Sequence, residues 1–355
     1  MKTTVAVGMS GGVDSSVAAY LLKQMGYNVF GLFMKNWQDE DEHCTAKKDF
    51  EDVVKVCEKI GIDYYTINFE KEYFDDVFSK CLDEYKLGIT PNPDILCNKE
   101  IKFNLFLKKA LSLGADFLAT GHYAQIENIN NTNHLIKAID LNKDQSYFLY
   151  TLKSSILDKV LFPIGHLNKP EVRKIAKELN LVTHDKKDST GICFIGKRKF
   201  KDFISKFISY KTGDIQTLEG KIVGQHQGLS FYTIGQRQGL QIGGPGEAWF
   251  VAKKDLKNNI LFVVQGQDHP SLYSIGLAAK NLTWVNEDEK LDLPYHCKAK
   301  IRYRQEDQDC IIEKIENDLI HVSFKNPQRA VTEGQSIVFY QDKVCLGGAI
   351  ICETK

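Results

Sequence analysis

No stretch of this 355-residue sequence approaches the ~20 consecutive apolar residues that a membrane-spanning helix needs. The apolar run near the N-terminus, Val5 to Val7, is broken at once by Ser10, Gly11, Gly12 and Asp14, so a secretory leader is not expected. An excess of one charge is missing too: 46 Lys and Arg balance 46 Asp and Glu. Overall charge therefore does not announce a nucleic-acid partner, although phosphate contacts need only a local basic patch. None of the nine cysteines is spaced CxxC, and their number is odd, which argues against a disulfide scaffold and against a zinc ribbon. No Pro-, Ser- or Gln-rich tract suggests disorder. These absences leave a globular protein expected in the cytoplasm, with no membrane partner, no bound metal of its own, and thiols kept reduced for chemistry.

What is present fills more than one core, and two or three domains are expected. The first half alternates strand-like and helix-like segments: Thr3 to Val7, Val29 to Met34, Tyr64 to Phe69 and Phe117 to Thr120 read as strands. Ser15 to Met25, a helix through Phe50 to Ile60, Tyr73 to Leu87 and Phe103 to Leu113 read as helices, the last closed by Gly114. Such alternation predicts a parallel sheet with helices on both faces, whose ligand lies beyond the carboxyl ends of the strands. The part from about Lys143 to Phe207 reads as mixed and mostly helical, with Pro170 to Leu179 a clear helix. Glycines then crowd from Gly213 to Gly246, which predicts a small β-rich domain. From about Ile275 come strand patterns at Lys298 to Tyr303, Cys310 to Ile315, Ile320 to Phe324, Ser336 to Tyr340 and Gly347 to Cys352, as in a small antiparallel barrel. The expected domains are residues 1–207, 208–274 and 275–355.

Gly8-Met9-Ser10-Gly11-Gly12-Val13-Asp14-Ser15-Ser16 joins the first strand to the first helix. The glycines permit a tight turn and close backbone approach, the serines offer hydroxyls, and the helix start offers unpaired N–H groups. Together they make an anion cradle. It is neither a Walker A loop, for no Gly-Lys-Ser/Thr follows, nor a dinucleotide GxGxxG turn.

Most cysteines fall on apolar faces: Cys57 and Cys81 in helices, Cys310, Cys345 and Cys352 in strands. Cys97 and Cys193 do not. Cys97 ends the stiff run Thr90-Pro91-Asn92-Pro93-Asp94-Ile95-Leu96-Cys97, ahead of Lys99 and Lys102 at an apparent helix start, surroundings that favour a thiolate. Cys193 lies in Asp188-Ser189-Thr190-Gly191-Ile192-Cys193, between Lys186 with Lys187 and Lys197 with Arg198. Either thiol alone is equally an incidental one. The basic clusters at 197–201, at Lys99 with Lys102 and at Arg302 with Arg304 are equally solvated faces.

SGGVDSS at residues 10–16 resembles the PP-loop of the N-type ATP pyrophosphatases. Further motifs join it in order: Gly31 to Trp37, Thr90 to Phe103, Ala119 to Ala124, Asn142 to Leu152, Asp188 to Gly196 and Tyr232 to Leu240. Taken together they resemble the tRNA-specific 2-thiouridylases over nearly the whole chain.

That resemblance implies an N-terminal α/β PP-loop domain (adenine nucleotide alpha hydrolase-like, with a parallel sheet), a small β-rich central domain and a C-terminal antiparallel β-barrel. It implies that ATP, with Mg2+ expected beside it, adenylates the C2 oxygen of a wobble uridine in tRNA. Gly8, Met9, Ser10, Gly11, Gly12, Val13, Asp14 and Ser15 would hold the pyrophosphate, Asp14 helping to position Mg2+, and Met34 and Gly121 would line the adenosine. Cys193 would carry a persulfide supplied by a sulfur-donor or sulfur-relay protein. Cys97 would release that sulfur and close a Cys97–Cys193 disulfide, and Asp94 would act as acid and base. Asn92, Pro93 and Asp94 would meet the target base. His122, Lys143, Asp144, Gln145, Tyr303, Arg304 and Gln335 would contact tRNA elsewhere. Two rivals stand against this reading: a PP-loop ligase acting on a small molecule, which needs neither Cys97 nor Cys193, and a nucleotide-binding regulator or sulfur carrier that binds without turnover.

Overall fold

The computed structural model describes residues 2–37, 46–187 and 200–355, with Phe200 by its backbone alone. Strand β1 (Thr4–Met9) pairs in parallel with β2 (Asn28–Lys35), which pairs with β3 (Asp63–Asn68). On its other side β1 pairs with β4 (Phe117–Thr120). A hairpin follows, β5 (Ala124–Ile129) and β6 (Thr132–Lys137), turned on Asn130 and Asn131 at φ of 51° and 65°. Two successive left-handed asparagines make the turn whose twist matches flanking strands, a signal present in the sequence but not read from it. Strand β7 (Val160–Leu161) completes the sheet in the order β3-β2-β1-β4-β7.

The period-2 alternation of β1 feeds two cores. Val5, Val7 and Met9 face one, together with Val17 and Ala18 of α1 (Val13–Gln24) and Val53 and Val56 of α2 (Ala46–Ile60). Ala6 faces the other, with Leu32 and Leu118. That second core is closed by two long helical stretches, α3 (residues 70–86) and α4 (residues 93–112). Each contains a π-helical segment, Phe74–Phe78 in α3 and Cys97–Phe106 in α4. α4 starts ten residues earlier than expected, at Pro93, and Gly114 ends it at φ 90° as its C-cap position requires. Helix α5 (Lys169–Glu178) returns to the first core through Val172 and Ala176.

Strands β8 (Gly213–Gln216), β9 (Ile222–His226), β10 (Trp249–Asp255) and β11 (Ile260–Gln265) form a four-stranded sheet in the order β10-β11-β8-β9. The last six strands are β12 (Tyr273–Trp284), β13 (Tyr295–Lys300), β14 (Gln308–Glu316), β15 (Leu319–Arg329), β16 (Ser336–Gln341) and β17 (Val344–Thr354). Their order β12-β15-β14-β13-β16-β17 closes through β12–β17 pairing into an antiparallel barrel. The β5–β6 hairpin is attached to its rim, Ile136 opposite Val344. Where a strand was expected over Lys298 to Tyr303, β13 ends at Lys300. Gln305 Oε1 accepts from Ile301 N at 2.9 Å and turns the chain, so Tyr303 stands in the hairpin tip instead.

Residues 85–91, just ahead of α4, are held from outside their own sheet. Ser230 Oγ donates to Tyr85 O (2.7 Å) and Lys254 Nζ of β10 to Gly88 O (2.7 Å). Gln335, between β15 and β16, donates from Nε2 to Thr90 O (2.8 Å) and Pro91 O (3.2 Å). Burial pulls Lys254 down from 10.5 to about 8, with the Glu333 charge opposing it. The unfolded chain keeps this proton to 10.5 while the folded chain releases it near 8. The burial penalty is therefore full below pH 8 and relieved as pH rises above it. The midpoint of thermal unfolding of Lys254→Met should then rise less between pH 8 and 10 than that of the wild type; identical slopes would refute the assignment.

Candidate active site

The loop after β1 is folded by its own hydroxyls. Gly11 takes φ 71°, and a Cβ there would fall 2.5 Å from Asp49 O of α2, so only glycine fits. Ser15 Oγ accepts from Ser10 N at 3.2 Å and donates to Gly12 O at 3.2 Å. Ser16 Oγ donates to Gly12 O at 2.8 Å and accepts from Thr183 Oγ1 at 3.1 Å. The N-terminus of α1 is thus presented at the end of the central strand.

The carboxyl end of β4 is pressed onto this loop. A Cβ on Gly121 would lie 2.6 Å from Ser15 N and 2.8 Å from Asp14 C, both backbone atoms that cannot yield. Gly121→Ala is therefore expected to displace the loop and weaken ATP binding by at least about tenfold, since misplacements near 1 Å at a site cost on the order of 10²-fold. Calorimetric titration with ATP measures it, and unchanged affinity would remove Gly121 from the site. Met34 sits half-buried at the end of β2, two residues before Asn36, whose Oδ1 is buried with no partner among the described residues. An orphaned buried acceptor just past the carboxyl end of β2 fits an amino-bearing nucleotide base. The residues thus suit ATP. Magnesium is fitted less well. No cluster of three His, Cys, Asp or Glu side chains occurs among the described residues, and both oxygens of Asp14 accept from Lys169 Nζ, at 2.8 and 2.7 Å. Tyr123 OH joins this ion pair, donating to Asp14 Oδ1 at 2.9 Å.

Asn92, Pro93 and Asp94 form the start of α4. Asn92 Oδ1 caps Ile95 N (3.4 Å) and Pro93 occupies the first turn, where its missing N–H costs nothing. Asp94 and Cys97 are one turn apart and so share a face. Cys97 is 1% exposed. Nine residues on, the Phe106 ring lies 3.1 Å from where a Cβ of Gly8 would be. Asn98, 2% exposed, donates from Nδ2 to Phe148 O at 2.9 Å, and its Oδ1 is unpaired among the described residues. Cys193, with residues 188–199 around it, lies outside the described residues, as do Lys197 and Arg198.

Burial raises the pKa of Asp94, and the Lys102 charge opposes it. Burial drives His122 well below its ordinary range, and Lys102 pushes the same way. His122 packs between Phe103 (5.7 Å) and Phe162 (6.1 Å), its Nδ1 2.8 Å from Thr120 Oγ1. It is a neutral imidazole. Lys99 points outward, with its nearest carboxylate, Glu100, at 4.0 Å, whereas Lys102 is half-buried. Lys186, expected to flank Cys193, instead donates to Gly11 O (2.8 Å), Asp49 (2.7 Å) and Asp52 (2.6 Å). Burial lowers its pKa but these two carboxylates outweigh that and raise it.

The remaining expected contacts divide. Tyr303 packs on Phe148 with ring centres 4.5 Å apart and planes tilted by 46°, donates to Lys143 O at 3.3 Å and has the Arg304 guanidinium 5.9 Å from its ring, so Lys143, Tyr303 and Arg304 converge. Arg304 is exposed; Arg302, expected to share its basic patch, instead donates to Ala330 O at 2.6 Å and Ile234 O at 3.4 Å. Asp144 is 2% exposed and accepts from Ala138 N, Ser146 N and Ser146 Oγ, so its side chain shapes the loop. Gln145 exchanges two bonds with Tyr123, at 2.9 and 2.7 Å, and Gln335 grips the loop before Asn92. Tyr123 and Lys169 were not read from the sequence, because no local pattern distinguishes a lysine or tyrosine that reaches the loop from one that faces water; Lys102 and Lys186 were read only as charges near Cys97 and Cys193.

A parallel sheet with a glycine–serine loop at the end of its central strand, feeding a helix N-terminus, defines the HUP class of α/β domains, and the tRNA methyl transferase HUP domain family matches residues 3–197. The tRNA methyl transferase PRC-barrel domain matches 201–265 and the aminomethyltransferase beta-barrel domain 274–351. The chain is 56% identical to the tRNA-specific 2-thiouridylase MnmA of Halalkalibacterium halodurans, over 99% of this chain and 95% of that one. It is 57% identical to the protein of the same name from Oceanobacillus iheyensis, over 98% and 95%. The Staphylococcus aureus counterpart is 56% identical over 98% and 94%. The chain belongs to the tRNA-specific 2-thiouridylase family.

Proposed function

We propose that the chain is an ATP-dependent thiotransferase that replaces the C2 oxygen of the wobble uridine of tRNA with sulfur and releases AMP and pyrophosphate. The observation that carries this reading is the placement of Asp94 and Cys97 on one face at the start of α4, with Phe106 of the same helix against the phosphate loop. A small-molecule ligase needs the loop but gives no role to a buried thiol one turn from a half-buried carboxyl. The family descriptions speak of methyl transfer, but a thiol beside a carboxyl at a nucleotide cradle suits sulfur chemistry better, in keeping with the names of the full-length relatives.

In this reading the uridine O2 attacks the α-phosphate of ATP and pyrophosphate leaves, so that C2 carries AMP, a far better leaving group than an oxo group. Cys193 holds a persulfide delivered by a sulfur-donor or relay protein. Cys97 attacks the Cys193 sulfur and the disulfide Cys97–Cys193 closes; the terminal sulfur either leaves as hydrosulfide, which attacks C2, or has already attacked C2 as the persulfide, and in both courses the C2–S bond forms and the C2–O bond to AMP breaks. A dithiol reductant then restores both thiols. Asp94 takes the proton lost from the attacking sulfur species, which a carboxylate with a raised pKa does more readily than an ordinary one. Asn92 and Pro93 border the base, and Lys143, Tyr303 and Arg304 hold the RNA backbone and stack on an unpaired nucleotide.

The test is thiolation of an anticodon stem-loop with ATP, magnesium and a labelled sulfur source, read by mass spectrometry. One AMP and one pyrophosphate should appear for each 2-thiouridine. Release of both without thiolation, or unchanged 2-thiouridine in tRNA from a deletion strain, would return the field to the ligase.

A further inference from the structure

Residues 87–92 join α3 to α4, and side chains of the two other domains grip them. Thr90 O and Pro91 O accept from Gln335, and a Cβ on the neighbouring Gly334 would lie 2.8 Å from Thr90 O. Gly88 O accepts from Lys254 Nζ at 2.7 Å. Tyr85 O, in the last turn of α3, accepts from Ser230 Oγ at 2.7 Å. Asn92 then caps α4 itself, one turn before Cys97 is reached.

Lys254 is the costly member of this set. Strand β10 pairs Val251 with Val263 of β11, but it pairs Lys254 with Leu261, because a bulge between Val251 and Lys253 shifts the register. In a regular strand residues three apart lie on opposite faces. The extra residue puts Lys254 on the face of Val251, Leu261 and Val263, all 0% exposed. A lysine therefore stands on the apolar face of the central sheet, and burial of its ammonium carries a penalty that depresses its pKa. Water would satisfy the carbonyls at the end of a helix without that penalty. What the lysine supplies and water does not is a fixed position. The end of α3 suits such a cation. Gly88, at φ 70°, donates from N to Tyr85 O at 2.9 Å and Ile89 N to Glu84 O at 3.0 Å, a glycine-terminated helix whose last carbonyls favour positive charge.

We propose that Lys254 is a positioning residue for the sulfur-transfer step: it ties the central sheet to Gly88 and, through residues 88–92, fixes the start of α4 so that Cys97 and Asp94 meet a base that adenylation has already prepared. It acts through α4 and touches none of the reacting atoms. That role rests on the reading of Cys97 and Asp94 as groups of sulfur transfer, and it adds the contact that keeps adenylation and sulfur transfer in step.

The readout is coupling. With the thiol in place, each adenylated base receives sulfur, and one AMP appears for each 2-thiouridine. With α4 displaced, the adenylated base persists until water attacks C2; the C2–O bond to AMP breaks, AMP leaves and uridine is re-formed. Lys254→Met keeps the aliphatic stem and removes the donor. The full chain is assayed with an anticodon stem-loop, ATP, magnesium and a persulfide donor. Lys254→Met should lower kcat for 2-thiouridine at least about tenfold and leave KM for ATP and for the stem-loop within about twofold, as displacement of a reacting group rather than of a binding surface would do. AMP released per 2-thiouridine should rise at least about fivefold. Lys254→Arg, which keeps a charged donor, should recover most of the coupling. Ser230→Ala loosens the same helix end by one neutral hydrogen bond, a milder change, and should raise the ratio at least about twofold. One AMP per 2-thiouridine in either folded variant, whether kcat is normal or reduced, would overturn the proposal, since a partly unfolded chain lowers the rate without uncoupling it. A rise in KM with kcat unchanged would overturn it too, by placing Lys254 at a binding surface. Failure of the parent reading shows elsewhere: the wild type would release AMP and pyrophosphate without 2-thiouridine, or Cys97→Ser would thiolate normally, and the role of Lys254 would fall with it.

Discussion

Cys97→Ser should leave ATP and tRNA binding within about twofold of the wild type and reduce 2-thiouridine formation by at least ~10³-fold, the scale on which removing a covalent participant acts. The exchange of one buried sulfur for oxygen changes little volume in a helix held along its length by Ile95, Ile101, Phe103 and Phe106, all buried. The loss is therefore expected in chemistry, not in folding. Mass spectrometry of the stem-loop product reads the sulfur, and pyrophosphate release reads the first half-reaction. In the variant the second should persist while the first disappears. Cys193→Ser should give the same pattern. Thiolation at a normal rate in either variant, with a persulfide donor, would remove that thiol from the mechanism.

Asp94→Asn should lower the turnover of thiolation by ~10²–10⁴-fold, the usual contribution of a positioned acid or base. The pH profile carries the sharper information. Burial raises the Asp94 pKa, so the carboxylate form that accepts a proton is lost at a higher pH than for an ordinary aspartate, and the wild-type rate should begin to fall there as pH is lowered. Lys102 opposes that rise in Asp94 and presses His122 down. Lys102→Met should therefore move both pKa values upward, and the acid limb of the profile should shift to higher pH with them. A limb that stays in place, or moves the other way, would show that the titrating group is not Asp94.

The sheet strands were read to within a few residues because a parallel strand buried on both faces is a run of apolar residues, as Val5 to Val7 and Val29 to Phe33 are. The phosphate loop was read from its order of strand, glycines, hydroxyls and helix. Cys97 stood out through the two prolines before it, which mark a stiff approach to a helix, and Asp94 through the family resemblance. The readings that fell short concern what a polar side chain does once packed. Asp144 is next to Lys143 in sequence, but its backbone partners at Ala138 and Ser146 turn it into the protein. Tyr303 was placed in a strand because its neighbours alternate, while Gln305 ends that strand three residues earlier. Strand β12 and the β5–β6 hairpin went unread, the first for want of regular alternation in Tyr273–Trp284.

By itself the sequence determined the class of fold, the anion cradle at Gly8 to Ser16 and the family resemblance that singles out two thiols. These rest on local causes: side-chain periodicity, glycine turns, and the order of short motifs along the chain. Only the tertiary structure decided that Lys169 reaches Asp14 and Lys186 reaches Gly11 O, that Gly121 presses on Ser15, and that Gln335 and Lys254 grip the approach to α4. Such pairings join residues more than a hundred positions apart. A salt bridge or a backbone contact depends on distance in space, and no local pattern in the chain encodes which distant groups the folded sheet and barrel will bring within 3 Å.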